Sequence, residues 1–251
     1  MRFQDKIVLI SGGTRGIGKA TALQFHQEGA TLALIYKDNS DAAKQTLEEI
    51  KGRGQIYKCD VSDASDIQKT TKKVIKDFGR IDILVNNAAF HEYHPIDNTT
   101  YEDWQYQWKK TIEVNLMGYA NLSYCVAQNM IQNKQGKIVY VSSRGAFRGE
   151  PEMPAYGASK AGINAMAQSL AQKLAPHNIH IGIVAPGFVE TDLTRSVLDG
   201  KRGESIKSQS PMNRVAKTEE VAHAILFFAD EKSVWSTGAI LDINGASYLR
   251  T

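Results

Sequence analysis

A chain of 251 residues with a formal net charge of +3, 42% hydrophobic and 23% charged, has the balance of an ordinary globular protein and can bury a large core without cross-links. It contains no dense basic run, so a nucleic-acid partner is not favoured, because backbone binding needs clustered Lys and Arg. No stretch approaches the ~20 apolar residues of a membrane span, so no membrane partner is expected either.

The N-terminus runs through Met1–Lys6 into a short apolar stretch, Ile7–Ile10, which is too short for a signal-peptide core. The two cysteines, Cys59 and Cys125, are far apart and form no C-x-x-C, which predicts two reduced thiols in a cytoplasmic protein. From there the chain alternates. Runs rich in Ile, Val and Leu predict strands at Ile7–Ile10, Leu32–Tyr36, Ile56–Cys59, Ile81–Val85, Lys137–Val141, Ile179–Val184 and Ala239–Ile243. Helical spacing lies between most of them: Ile17, Ala20, Leu23 and Phe25; Ile67, Val74 and Phe78; Val221, Ala222, Ile225 and Leu226. There is no repeat, linker or break in composition. This predicts one α/β domain over residues 1–251, with a doubly wound, mostly parallel sheet and helices on both faces. In such sheets ligands bind beyond the carboxyl ends of the strands, so the chemistry is expected just after each one.

After the first strand comes Ser11-Gly12-Gly13-Thr14-Arg15-Gly16-Ile17-Gly18, then a helix. Glycines let the backbone turn sharply and approach a ligand, and the helix start offers free N–H groups and a positive dipole end to phosphate. The spacing is Gly-x-x-x-Gly-x-Gly rather than the commoner Gly-x-Gly-x-x-Gly, but its place after the first strand points to a dinucleotide. The second strand ends Tyr36-Lys37-Asp38. An acidic residue there would bind a ribose 2′-OH, whereas a cation accommodates a 2′-phosphate. Tyr36 stands at the acidic position with Lys37 beside it and Arg15 in the loop, which favours NADP(H); Asp38, one or two residues along, keeps NAD(H) as the alternative.

The fourth strand leads into Asn86-Asn87-Ala88-Ala89. The segment Phe90-His91-Glu92-Tyr93-His94-Pro95 gives His91 and His94 a metal-like spacing, but no further Cys/His cluster accompanies them and no metal site is expected. Asn115 stands inside a long helical stretch, where a buried amide needs a partner. The fifth strand ends in Ser142-Ser143, and Pro154 then opens a helix carrying Tyr156 and Lys160 four residues apart on one face. A tyrosine with a pKa of about 10 is a poor base near neutrality. Lowering it by about two or three pH units takes roughly 3–4 kcal/mol. A cation ~4 Å away at an effective dielectric near 20 supplies about that much, so Lys160 is expected to depress the tyrosine. Leu193–Ser210, polar and containing Gly200 and Gly203, reads either as a mobile substrate lid at about 193–210 or as a solvated surface helix.

Over nearly its whole length the sequence resembles the short-chain dehydrogenase/reductase family. The motifs occur in family order: the Gly12/Gly16/Gly18 loop, Asp60-Val61, Asn86-Asn87-Ala88, Asn115, Ser143, Tyr156-x-x-x-Lys160, and Pro186-Gly187 with Thr191. The resemblance implies a seven-stranded Rossmann sheet and a homotetramer, with a dimer as the alternative. It implies Tyr156 as acid/base and Lys160 as the residue that binds the nicotinamide ribose and depresses the tyrosine. Ser143, thirteen residues before Tyr156, is implied as the hydrogen-bond donor to the substrate oxygen. Asn115 is implied as the holder of a water that connects Lys160 to solvent. Cofactor contacts are implied for Gly12, Thr14, Arg15, Gly16, Ile17 and Gly18, for Tyr36 and Lys37, and for Asp60 and Val61. They extend to Asn87, Ala88 and Ala89, to Tyr156 and Lys160, and to Pro186, Gly187, Val189 and Thr191. Among these, Asp60 is assigned to adenine, Asn87 to the adenine-side ribose and Thr191 to the carboxamide.

The chain also departs from the family pattern. Ser11 replaces Thr, Ala89 replaces Gly, Asn244-Gly245-Ala246 replaces Asn-Gly-Gly, and the Asn87–Asn115 interval is longer by about four residues, close to one helical turn. The last third, Ile183–Thr194 followed by Pro211-Met212-Asn213-Arg214, resembles bacterial 3-oxoacyl-[acyl-carrier-protein] reductases. That implies a 3-oxoacyl thioester substrate carried on an acyl carrier protein, with Lys134 and His177 at the positions of basic residues beside the active-site entrance. Two alternatives stay open: a reductase of small ketones, sugars, steroids or other secondary alcohols, and a non-catalytic cofactor-sensing protein on the same fold.

Overall fold

In the computed structural model, which describes residues 1–250, seven strands form one parallel sheet in the order β3-β2-β1-β4-β5-β6-β7. They are β1 (Ile7–Ser11), β2 (Thr31–Tyr36), β3 (Gly54–Lys58), β4 (Ile83–Asn86), β5 (Gly136–Val141), β6 (Ile179–Pro186) and β7 (Ile240–Ile243). All seven hydrophobic runs therefore become strands, with no end displaced by more than two residues. The largest changes at a strand start are at β3 and β4. At β4, the Asp82 carboxylate takes the Ile7 N–H (2.8 Å) and the Arg80 Nε–H (2.9 Å), so side-chain bonds stand where the ladder begins.

Parallel neighbours need crossover connections, and helices supply them. They are α1 (Gly16–Gln27), α2 (Ser40–Glu49), α3 (Ala64–Phe78), α4 (Tyr101–Ile112), α5 (Gly118–Asn133), the short α6 (Gly145–Arg148), α7 (Pro154–Leu174), the short α8 (Arg195–Leu198) and α9 (Gly203–Lys207), and α10 (Thr218–Ala229). Two cores result, one on each face. Leu9, Leu84, Ile138 and Tyr140 point to the face of α3, α5 and α7; Val8, Ile10, Val85 and Val139 point to the face of α1 and α10. Neighbouring strand residues thus alternate between cores, as the two-residue period of a strand requires. With both faces covered, the central strands read as continuous apolar runs, which is why they stand out in the sequence.

The strand order reverses between β1 and β4. A crevice opens at that reversal beyond the carboxyl ends, and it is the position where such sheets bind ligands. Both chain segments that leave it, Gly12–Gly18 and Asn87–Ala89, carry residues singled out above.

Candidate active site

The glycine loop begins as β1 ends. Gly12 (φ +63°) and Gly16 (φ +49°) both occupy the left-handed region, where an L side chain is strained. A Cβ on Gly18 would lie 2.1 Å from the Gly12 carbonyl oxygen, so the loop closes only with hydrogen at that position. Arg15 precedes α1 with extended backbone, and its side chain does not cap the helix. The opening amides of α1 are thus left for an anion, which fits a pyrophosphate.

Ser11 and Asn87 stitch this loop to the end of β4. The Ser11 hydroxyl accepts from the Asn87 N–H (2.9 Å) and the Ala88 N–H (3.1 Å). The Asn87 amide nitrogen donates to the carbonyls of Ser11 (3.0 Å) and Gly12 (3.1 Å), so the donor half of this side chain holds the loop and its carbonyl half remains for a ligand. Across the crevice, Thr191 lies against Gly16: a Cβ there would meet the threonine methyl at 3.3 Å. Thr191 is fixed by its neighbour Thr194, whose hydroxyl accepts the Thr191 N–H at 2.8 Å. Pro186 and Gly187 leave β6 under two further bonds, Arg144 N–H to the Pro186 carbonyl (2.9 Å) and Gly187 N–H to the Ile243 carbonyl (2.9 Å). Val189 and Thr14 are both buried.

Sequence alone presents Lys37 as a free cation. Its ammonium instead pairs with Asp60 at 2.8 Å, and both residues lie at strand ends brought together by the β2–β3 pairing. Asp60 also accepts from the Ser62 N–H (2.9 Å) and hydroxyl (2.7 Å). Burial raises the Asp60 carboxyl, but Lys37 and the two Ser62 bonds outweigh it and bring it down to about 2. Val61 follows, packed against the start of α5, where a Cβ on Gly118 would come within 2.6 Å of the Val61 carbonyl oxygen.

Tyr156 and Lys160 share a face of α7 beyond the end of β5. Lys160 is buried to 1% exposure; its Nζ donates to the Val141 carbonyl (2.8 Å) and lies 5.2 Å from the ring centre of Tyr119 and 5.5 Å from that of Tyr156. Burial lowers its ammonium to about 7. Tyr156 does not show the depression expected from the sequence. Burial pushes the phenol up to about 12, the hydrogen bond with Ser143 pulls the other way, and Glu150 adds to the rise. An ammonium that is itself destabilised cannot supply the full attraction of an exposed cation. The two serines at the end of β5 separate in role. Ser142 Oγ bonds the Lys160 carbonyl at 3.3 Å, whereas Ser143 faces Tyr156 and accepts the Gly145 N–H at 3.0 Å.

Asn115 is fully buried within a π-helical turn, Glu113–Met117, between α4 and α5. Its Oδ1 accepts the Phe90 N–H (2.7 Å), and its Nδ2 donates to the Phe90 carbonyl (2.9 Å) and to Ser159 Oγ (3.1 Å). One amide thus joins the segment after β4 to the helix of Tyr156. π-turns inside α-helices are frequent at functional sites.

His91 packs edge-on to Tyr156 with ring centroids 6.1 Å apart. Burial lowers its imidazole below the usual histidine value, Glu92 opposes and Lys160 adds to the fall. His94 is buried and has both ring nitrogens engaged. Among the described residues no group of three or more His, Cys, Asp or Glu is placed to hold a metal. The 193–210 segment forms α8 and α9, with Leu198 and Ile206 turned inward, and Arg202 reaches the Tyr93 hydroxyl at 3.4 Å. Its two ends are tied by a bridge between Val189 and Ala216.

Lys134 and His177 come together, since Asn178 bonds the Lys134 carbonyl at 3.2 Å, but they do so at the amino end of β5 and β6. Helices α5 and α7 run back against the strands, so their ends lie at the edge opposite Tyr156. Within one chain they do not flank the Tyr156 site. Three participants escape sequence reading. Ser159 and Tyr119 are reachable by spacing, the latter being four residues after Asn115. Arg144, buried and bonded to Ser247 and Gln209, gives no signal of its own.

A glycine-rich crevice at the reversal of a parallel sheet, with a tyrosine and a lysine beside it, defines a dinucleotide-dependent oxidoreductase acting between a ketone and an alcohol. The family model described as "Enoyl-(Acyl carrier protein) reductase" matches residues 12–246. The 3-oxoacyl-[acyl-carrier-protein] reductase FabG of Thermotoga maritima is 40% identical over 247 residues, 98% of each chain. The Escherichia coli protein of that name is 34% identical over 250 residues, 99% of this chain and 100% of the relative. Among solved structures, an NAD+-bound xylitol dehydrogenase superposes with a TM-score of 0.89 at 27% identity, covering 97% of this chain and 99% of its own. A dehydrogenase/reductase from Sinorhizobium meliloti 1021 gives 0.90 at 27% identity, covering 98% and 96%. The chain belongs to the short-chain dehydrogenase/reductase family, and its cofactor is a nicotinamide dinucleotide.

Proposed function

We propose that this chain is an NADPH-dependent reductase of a 3-oxoacyl thioester, with Tyr156 as proton donor. The observation that carries the reading is the half-buried Tyr156 phenol, held by Ser143 on one side with Lys160 packed beside its ring. A phenol raised to about 12 is firmly protonated at neutral pH, the form that reduction requires, and it is still far more acidic than the alcohol formed when the substrate alkoxide takes its proton. When bound, a reduced nicotinamide supplies the hydride to the carbonyl carbon. Ser143 orients the carbonyl oxygen, Tyr156 gives it a proton, and Lys160, 5.5 Å from the ring centre, stabilises the phenolate left behind. Asn115 holds the Phe90 segment and Ser159 in place around this pair. The names of the relatives support the thioester, and Arg15 with Lys37 supports the 2′-phosphate.

In this reading residues 1–251 form one dinucleotide-binding and catalytic domain with a substrate lid at about 193–210. The enzyme is cytoplasmic: Cys59 and Cys125 are both free thiols, and no helix among the described residues is long and apolar enough to cross a membrane. It works as a homotetramer or dimer. The exposed Tyr124 beside an apolar groove of about 330 Å³ between α5 and α7, and the 97%-exposed Trp235, support self-association.

A second reading, reduction of a small hydroxylated ketone, is supported by His91 beside Tyr156, because a neutral imidazole can both donate to and accept from a hydroxyl. It gains weight from the position of Lys134 and His177 at the far edge. NADPH oxidation against acetoacetyl thioesters, sugars and cyclic ketones separates the two readings. The Tyr156→Phe variant is expected to bind NADPH as the parent does, with turnover at background. Unchanged turnover would remove Tyr156 from the mechanism.

A further inference from the structure

Helix α7 starts without a cap of its own. Met153 stands at the N-cap position and makes no side-chain cap bond, and Pro154 at the first helical position has no N–H. The Tyr156 N–H turns back to the Met153 carbonyl at 3.0 Å. That leaves the N–H of Ala155, which is fully buried, one residue before the tyrosine. It finds its acceptor far away in sequence: Ala155 N–H donates to His94 Nε2 at 3.2 Å. Since Nε2 accepts, the ring proton sits on Nδ1, which donates to the Glu92 carbonyl at 2.7 Å. The His94 backbone N–H donates to the Glu152 carbonyl at 2.9 Å, and the ring packs edge-on to Trp104, centroids 5.8 Å apart. His94 is fully buried and lies in the interval between Asn87 and Asn115 that is longer than the family pattern.

We propose that His94 is a positioning residue: it caps the catalytic helix from the neighbouring segment and fixes Tyr156 against Ser143. This rests on the assignment of Tyr156 as proton donor. An N-cap ordinarily comes from the residue at the helix start, whose side chain accepts an N–H of the first turn. Here the acceptor is an imidazole locked in one tautomer by a local carbonyl and clamped by an aromatic ring. The geometry demanded of a proton donor is strict, and a misplacement of about 1 Å can cost on the order of 100-fold in rate. A frayed first turn moves the third helical residue, which is Tyr156.

The test compares His94→Phe, which keeps the ring against Trp104 but has no acceptor, with His94→Gln, whose Oε1 can still accept the Ala155 N–H. Amide hydrogen exchange in the peptide containing Ala155–Lys160 is measured for each, together with NADPH affinity and kcat. The phenylalanine variant is expected to exchange about tenfold faster at Ala155–Gly157 with NADPH affinity unchanged, and kcat about tenfold lower. The glutamine variant is expected to return both exchange and kcat to within about threefold of the parent. Exchange at Ala155–Gly157 that stays at the parent rate in His94→Phe overturns the cap. Faster exchange with kcat unchanged overturns the positioning role. A parent that turns over none of the carbonyls tried counts against the proposed function, while the exchange arm still decides the cap.

Discussion

Placing an ammonium group at 1% exposure is costly unless charge or hydrogen bonds compensate, and Lys160 has a single carbonyl partner. Its value of about 7 lies below the 10.5 of a free lysine. Between those two pH values the unfolded chain holds a proton that the folded chain lacks, so stability rises with pH over that interval. Below about 7 both states are protonated and the full cost is present. Lys160→Met removes the buried charge and loses one hydrogen bond. It is expected to melt higher than the parent at pH 6–7, by on the order of 1–2 kcal/mol, with the difference shrinking toward pH 10. Thermal melts at several pH values check this; parallel curves would show that Lys160 keeps its ordinary titration. Asp60 illustrates what sequence leaves out at this scale. Its type and place at the end of a strand are legible, but its partner is not, because Lys37 meets it only through the register of β2 on β3.

At the scale of elements, the π-turn at Asn115 links three segments. A leucine there leaves the Phe90 N–H and carbonyl and the Ser159 hydroxyl without their partner in a buried place. Each lost partner costs roughly 1–3 kcal/mol, offset in part by relaxation. Asn115→Leu is expected to lower stability by about 2–4 kcal/mol and to loosen the Phe90–His94 segment, measured by denaturant melts and by protease cleavage in that segment. A loss below about 0.5 kcal/mol would mean the amide's bonds are easily replaced. The central strands were readable because each is buried on both faces, and α1, α3 and α10 because one face carries the apolar repeat. The π-turn was not readable: an i→i+5 pattern over five residues leaves the helical periodicity on either side intact. Nor was His94, whose acceptor role is fixed by Ala155 in another element.

For the whole molecule, the topology gathers the ends of β1, β2 and β3 on one side of the crevice, and in the proposed reading Arg15 and Lys37 serve the cofactor's 2′-phosphate there. Lys37 must exchange Asp60 for a ligand, and a phosphate with its greater charge competes for it better than a hydroxyl. Lys37→Ala is therefore expected to raise the NADPH dissociation constant by about tenfold and to leave that of NADH within about twofold, read by fluorescence titration. Equal losses for both cofactors would end the NADP(H) assignment. The same topology explains why Lys134 and His177 could not be placed from sequence: similarity fixes their position along α5 and α7, but only the antiparallel course of those helices against the sheet sets them at the far edge.

The bridge between Val189 and Ala216 brings the two ends of the intervening segment side by side, with Glu190 N–H on the Ala216 carbonyl at 2.8 Å and Ala216 N–H on the Phe188 carbonyl at 3.0 Å. Everything between them is a closed loop whose length and sequence can change with little added cost in chain entropy, since closure depends only weakly on length. The segment is thus an interchangeable cassette. In the proposed reading, exchanging it whole between relatives alters which molecule is admitted while the Tyr156 proton chemistry is carried over intact.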